Sequence, residues 1–396
     1  MNGARKNCQN NGQQEEVCNL ENFLNYLSPM AKELLLCLAP FREFIFAAAL
    51  FHYLEELQQQ QPFKHLPFEK FDEVIGGAMD CGLLLVKEDN PSILTIQPAI
   101  ATFLQNHLVS MDDKKSQALK LAFRNHYQGL SDYYYEFLAS GNQEERDLGI
   151  FFCEQEYQNL CYALQVSLDI EDSIDIFFCL DEYLLLINDN DRLLLLCEYL
   201  CQRLASYPAF KRRGKIGLNI MMALGRLANC YLQINNLEKA KKYYYQVAAF
   251  LPTLPDIEPK DRELGLGNTY HQLGMISQQL ADFAEAKRNY EYALEVYTNY
   301  GDRYECASTY YQLGMLSQQI QKFNDARIYY QKSLTILQEF GDRYSQGSIY
   351  YQLGLIAKEK KEYRRAKANL ELSLSIFIDF LDESAVSLVR EALKGF

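Results

Sequence analysis

In the last third of the chain the apolar positions return every 40 residues. TYHQLGMISQQ at 269–279, TYYQLGMLSQQ at 309–319 and IYYQLGLIAKE at 349–359 align without a gap. Each is followed at one fixed distance by an aromatic and a small residue: Phe283 and Ala286, Phe323 and Ala326, Tyr363 and Ala366. The stretches 267–306 and 307–346 are identical at 17 of 40 positions. A period of roughly 20 to 50 residues marks a solenoid of stacked supersecondary units. Within one unit, Tyr270, Leu273, Gly274 and Ser277 recur at steps of three and four and share one face of a first helix. After a break at 280–283, Ala286, Tyr290, Ala293, Leu294 and Tyr297 mark one face of a second helix. Gly274 and Ala286 are small where the two axes must approach, and Tyr270, Phe283 and Tyr290 fill the remaining space. Gly301 and Gly341 are placed as left-handed caps, and Asp302 and Asp342 as N-caps of the following units. In the third unit Leu381 replaces the glycine while Asp382 keeps the cap. A last helix over 383–394 is therefore expected, with Ala385, Leu388, Val389 and Ala392 toward the solenoid and Glu383, Ser387, Arg390 and Glu391 toward water.

An aromatic, Leu-Gly, a small residue, then Ala, aromatic and Ala at these spacings resemble the tetratricopeptide repeat. Ser277 and Ser317 are smaller than the residue usual there, and the family's terminal proline is missing. The 40-residue unit implies second helices longer than in the 34-residue form. A degenerate copy lies upstream. Leu227, Ala228, Tyr231, Leu237, Ala240, Tyr244 and Val247 match Leu273, Gly274, Ser277, Phe283, Ala286, Tyr290 and Ala293 at an offset of 46. The six additional residues fall in the loop around Pro252, Pro255 and Pro259. Repeats are thus expected near 221–256, 267–300, 307–340 and 347–380, within a solenoid over 211–396.

Upstream the pattern changes. Residues 1–25, dominated by Asn, Gln and Glu, predict a disordered leader. In LSPMAKELLLCLAPF, Ser28 is an N-cap, Pro29 a first helical residue, and Leu34, Leu35 and Leu38 one stripe. A second helix is expected over 44–58 and a third from Pro67 to about Gly82. Leu83 to Val86 and Ile93 to Ile96 read as strands around a turn at Asn90-Pro91, with a helix from Pro98 onward. Three helices and a hairpin in this order make a winged helix over 26–110. This succession resembles the winged-helix domain of STAND (NB-ARC-type) signalling NTPases. AFRNHYQGLSDYYYEFL at 122–138 and EQEYQNLCYALQVSLD at 154–169 resemble the helical linker of that family, with Glu156, Asn159, Leu160, Ala163 and Leu164 on its E-x-x-N-L-x-x-A-L pattern. Residues 111–210 are expected to form that linker. The fold class is mainly α: a winged-helix-like domain, a helical linker, and a right-handed α-solenoid of about four repeats with a capping helix. The likeness covers only the rear half of such an NTPase.

Composition narrows the functional classes. No tract approaches the roughly 18 apolar residues of a membrane span, and no signal pattern opens the chain. Eleven cysteines without regular spacing read as reduced thiols and predict a cytoplasmic protein. The Met1 start and polar leader weigh slightly toward a free-standing chain. A net charge of −13 disfavours nucleic acid, and the third helix of the winged domain carries Glu69, Asp72, Glu73 and Asp80 against Lys70. The short basic cluster Lys211, Arg212, Arg213 and Lys215 reads as a solvated loop.

No catalytic pattern emerges. G-x-x-x-x-G-K-[ST] is absent from the sequence, so no backbone nest for a triphosphate is predicted. The NTPase family's winged helix supplies a phosphate-binding histidine where this chain has Gln97. The five histidines form no pair at ligand spacing. The turn at 188–191 lacks the glycine and the glutamate of a calcium loop. The chain is expected to be no enzyme and to hold neither cofactor nor metal.

What remains is binding. In the repeat family the first helices line a concave groove. Carried onto this chain, its positions are Asn268, His271, Met275 and Gln278; Ser308, Tyr311, Met315 and Gln318; and Ser348, Tyr351, Leu355 and Lys358. The degenerate copy adds Met222, Asn229 and Leu232. Amides, hydroxyls, a His/Tyr/Tyr ladder and adaptable methionines suit a peptide backbone, and the absence of a Lys/Arg clamp points to an internal segment or helix of a partner. Two classes stay open: a signalling adaptor or sensor that captures a protein, alone or beside a separate NTPase or effector chain, and a peptide-switched regulator of the Rap type whose solenoid compacts on its ligand.

Overall fold

The structure, a computed structural model, describes residues 27–80, 82–87 and 90–394. The leader expected over 1–25 lies outside the described residues. The chain forms two compact units. The first runs to Leu196 and takes in Arg203–Tyr207; the second comprises Cys197–Gln202 and everything from Pro208. Among the described residues there are 17 α-helices and one three-stranded sheet.

The first unit opens with α1 (Pro29–Leu36), where the Ser28 side chain accepts from the Ala31 amide at 3.2 Å. Then come β1 (Phe44–Phe46), α2 (Leu50–Gln59), α3 (Phe71–Asp80), β2 (Leu84–Lys87), β3 (Asn90–Ile96) and α4 (Pro98–Ser110). The sheet is antiparallel in the order β1-β3-β2, with Ile45 and Val86 both opposite Leu94. Three helices followed by a hairpin give the winged-helix-like domain, with two corrections. The helix expected over 44–58 begins only at Leu50. Phe44–Phe46 is a strand in which Ile45 alone is buried. The run FIFAAALF is apolar throughout, and periodicity cannot separate strand from helix there; the open edge of β3 decides it. Asn90, expected in the turn, instead pairs with Lys87 and opens β3.

Four helices follow: α5 (Asp113–Leu138), α6 (Gln143–Asp169), α7 (Asp175–Leu186) and α8 (Asn190–Ala205). An aromatic core of Phe41, Tyr53, Phe123 and Tyr127 joins α5 to the winged-helix segment, with ring centroids 4.6–5.1 Å apart for three of its pairs. The E-x-x-N motif has a structural role here. Asn159 accepts from the Arg42 amide at 2.8 Å and donates to the Phe44 carbonyl at 2.8 Å, so it fixes the chain where it enters β1. Glu156 accepts from Asn159 at 2.6 Å and from the Tyr127 hydroxyl at 2.8 Å. Burial pushes its carboxyl up to about 7 despite these bonds.

In the second unit the helices come in pairs: α9 (Gly214–Gln233) with α10 (Leu237–Phe250), α11 (Pro259–Gln279) with α12 (Phe283–Tyr300), α13 (Arg303–Gln319) with α14 (Phe323–Phe340), and α15 (Arg343–Glu359) with α16 (Tyr363–Asp379), closed by α17 (Glu383–Leu393). The last three pairs each meet at a glycine, and the first has Ala228 there. A Cβ on Gly274 would sit 2.6 Å from the Tyr290 ring, one on Gly314 2.6 Å from Tyr330, and one on Gly354 2.7 Å from Leu370. Gly301 and Gly341 cap α12 and α14 at φ 72°, a conformation that excludes most other residues. Leu381 takes the same left-handed turn at φ 57° without that freedom. Asp302, Asp342 and Asp382 each accept from a backbone amide three residues on, at 3.3, 3.0 and 2.9 Å. In α17 Val389 is buried as expected, but the expected inward Leu388 is 58% exposed and Val386 is buried in its place, both valines against Leu370 and Phe377. Counting from Asp382 as N-cap, the i, i+3 stripe starts at Val386.

Candidate peptide groove on the first helices

The twelve groove positions lie on α11, α13 and α15, the first helices of three successive pairs. They do not share one environment. On α11 they are largely consumed by packing. His271 is 7% exposed and lies edge-on to Tyr290, with ring centroids 5.7 Å apart. Its Nδ1 is 3.0 Å from the Thr309 hydroxyl, which itself donates to the Glu305 carbonyl at 2.9 Å; the shared proton therefore belongs to the imidazole. Burial pushes this ring down to about 4, so it is neutral at physiological pH. Gln278 accepts from Tyr290 at 2.9 Å and donates to Gln319 at 2.7 Å. Asn268 is exposed but accepts from Tyr297 at 2.7 Å, and Met275 packs beside Tyr290 and Leu313.

On α13 and α15 the picture opens. Gln318 repeats the bond of Gln278, accepting from Tyr330 at 2.9 Å, and Met315 packs on the core. Lys358 donates to the Ala392 carbonyl at 2.7 Å and so anchors α17; Tyr351 leans on the same terminal cluster, and Leu355 is half-buried. Ser308, Tyr311 and Ser348, by contrast, converge on a cleft of about 250 Å³ between α13 and α15, floored by Ser333 and Leu337 of α14. Upstream, Met222 and Asn229 are exposed, and Asn229 accepts from Tyr244.

Four further residues line the cleft that sequence reasoning passed over: Tyr304, Glu305, Tyr344 and Ser345. Tyr304 donates to Asp342 at 2.9 Å and Tyr344 to Asp382 at 2.7 Å, so each tyrosine reaches the N-cap of the next unit. Both rings are more than 40% exposed. Their signal was present in the recurring Gly-Asp-Arg-Tyr of 301–304 and 341–344. Burial and the neighbouring Asp302 raise the Glu305 carboxyl above its ordinary value, and no lysine or arginine lines the cleft. Chemically it offers hydroxyls, aromatic faces and one carboxylate.

Among the described residues no group of three or more His, Cys, Asp or Glu could hold a metal ion, and no helix is long and apolar enough to cross a membrane. Models of the tetratricopeptide repeat match residues 265–339, 305–379 and 223–249. Among solved structures, the chain is similar to BtubC from P. vanneervenii, at 16% identity and TM-score 0.45, over 65% of this chain and 92% of that one. It is also similar to a STAND protein with a tetratricopeptide repeat sensor from Pyrococcus horikoshii, at 15% and 0.44, over 94% of this chain and 53% of that one. RapI in its apo form gives 9% and 0.47, over 86% and 85%. No curated protein sequence matches.

Proposed function

We propose that this chain, a carrier of tetratricopeptide repeats, is a non-catalytic scaffold that takes a short internal segment of a partner protein across α13 and α15. The observation that carries the reading is the cleft around Ser308, Tyr311 and Ser348, with Tyr304 and Tyr344 at its sides. Ser308, Ser345 and Ser348 offer donors and acceptors to an extended peptide backbone, the Tyr304 and Tyr344 hydroxyls, which already donate to Asp342 and Asp382, can still accept, and the rings offer apolar contact at small entropic cost. Glu305, with no cation beside it in the cleft, favours a segment carrying a lysine or arginine. His271 and Gln278 serve this site by holding α11 against its neighbours and do not meet the peptide.

The test is selection from a library of displayed peptides on the full chain, followed by titration of the selected peptides. Ser308→Arg/Ser348→Arg should weaken them at least tenfold with an unchanged melting temperature, because both side chains are half-buried at the cleft and an arginine can still reach water. Peptides that bind the double variant as tightly as wild type would place the site elsewhere. Small-angle scattering with and without peptide separates the two modes: a scaffold keeps its dimensions, and a peptide-switched regulator in a signalling pathway contracts.

A further inference from the structure

A second recess lies in the first unit. It is a cleft of about 590 Å³ formed by the segment from β1 through α2, by the middle of α5, and by Phe152 of α6. That volume falls in the range of small-molecule sites. Its walls are aromatic. Phe46 and Tyr134 both pack on Phe152, at 5.6 and 5.2 Å between centroids, while Phe51 and Tyr133 stand at the mouth more than half exposed. Glu55 and Glu56 are its charged residues, and neither lysine nor arginine lines it. Glu56 accepts from Asn125 at 2.8 Å, which holds the carboxylate in place; Glu55 sits 3.5 Å from His52.

Two observations mark this recess as a site. His126 and Tyr134 both line it and are 6% and 2% exposed, yet His126 Nδ1 and the Tyr134 hydroxyl have no hydrogen-bond partner among the described residues. Buried polar atoms are almost always paired, so two orphans in one cleft call for an explanation. Gly129 is the other. It sits in the middle of the 26-residue α5, where glycine is disfavoured, and a Cβ there would meet nothing within 4 Å. Packing does not demand the glycine; it keeps the cleft open.

We propose that this cleft binds a small organic ammonium with an aromatic or aliphatic body. Aromatic walls attract a cation through the faces of their rings, and the two carboxylates supply the counter-charge. Burial pushes His126 down to about 3, so its neutral ring neither repels the cation nor competes with it. An anionic ligand would find only His52, which already sits beside Glu55.

Isothermal titration of the full chain with 2-phenylethylamine tests this, with phenylacetate as the anionic counterpart of equal shape. Saturable binding of the amine, at least tenfold tighter than that of phenylacetate, is the expected result. Glu55→Gln/Glu56→Gln should weaken it at least tenfold. Gly129→Met should abolish it by filling the recess, with a melting temperature equal to or above that of wild type. Equal affinity for the two probes, no saturation of the amine up to about 10 mM, or full binding by Gly129→Met would each overturn the proposal.

Discussion

Single residues set how this protein responds to pH. Burial lifts the Glu156 carboxyl from an ordinary 4.5 to about 7. Between those limits the folded chain holds a proton that the unfolded chain has released, so stability falls as pH rises through the window. The penalty is absent below about pH 4.5 and complete above about pH 7, where it reaches about 3 kcal/mol. Glu156→Gln keeps an acceptor for Tyr127 and removes the charge. The variant should therefore gain on wild type by up to about 3 kcal/mol between pH 4 and pH 8, read from unfolding curves across that range. A constant difference between the two proteins would mean that Glu156 titrates normally. His271 acts in the opposite sense in the other unit: depressed from 6.5 to about 4, it withholds a proton that the unfolded chain would take up, so its contribution is full above about pH 6.5 and lost on acidification. Neither shift could be read from the sequence. Both residues were singled out there, one for a motif and one for a groove, but burial depends on what packs above the helix face, and periodicity reports only which face it is.

At the scale of elements, the helix pair depends on how closely two axes approach, and glycine shows where contact is made. Alanine is favoured over glycine in a helix by about 1 kcal/mol. At Gly225, in the middle of α9, an added Cβ meets nothing within 4 Å, so Gly225→Ala should stabilise the chain by about that amount. At Gly314 the same methyl lies 2.6 Å from the Tyr330 ring, which is fully buried and hydrogen-bonded to Gln318. There overpacking outweighs propensity, and Gly314→Ala should cost about 1–3 kcal/mol. Thermal unfolding of the two variants gives opposite signs if the glycine–tyrosine contact sets the pair distance; two stabilised variants would show that the helices can part. These contacts were legible in advance because the repeat states them three times over. The winged-helix segment is stated only once. Its FIFAAALF run satisfied helix and strand alike, and the edge of β3 that captures Phe44–Phe46 lies some fifty residues downstream. In α17 the start at Glu383 after Asp382 was legible, but the choice between Val386 and Leu388 for the inner stripe turned on how the helix is rotated against Leu370 and Phe377. Tyr304 and Tyr344 were missed for another reason: they follow the N-cap so closely that they read as punctuation.

Across the second unit as a whole, two kinds of contact hold the helix pairs. The first is a largely exposed ladder: within pairs, Arg303 with Glu339 at 2.5 Å and Arg343 with Asp379 at 2.8 Å; between pairs, Arg327 with Glu362 at 3.0 Å and the two tyrosine–aspartate rungs. The second is the apolar seam, which ends where Val386 and Val389 cover Leu370 and Phe377. Exposed ion pairs contribute only about 0–1 kcal/mol and are screened by salt. Each buried methyl group contributes about 0.8 kcal/mol. In a stacked array the total is a sum of units and nearest-neighbour interfaces, so a weakened end interface is not compensated from elsewhere. Val386→Ala/Val389→Ala removes four buried methyl groups and should cost about 3 kcal/mol, loosening α17 and uncovering Phe377. Arg303→Ala/Arg343→Ala, which cuts two rungs of the ladder, should stay within about 1 kcal/mol of wild type and become indistinguishable from it in about 1 M salt. Hydrogen exchange along α15 to α17 would resolve both effects by position. If the arginine variant opened this region as far as the valine variant, the charged ladder rather than the apolar seam would be holding the last repeat in place.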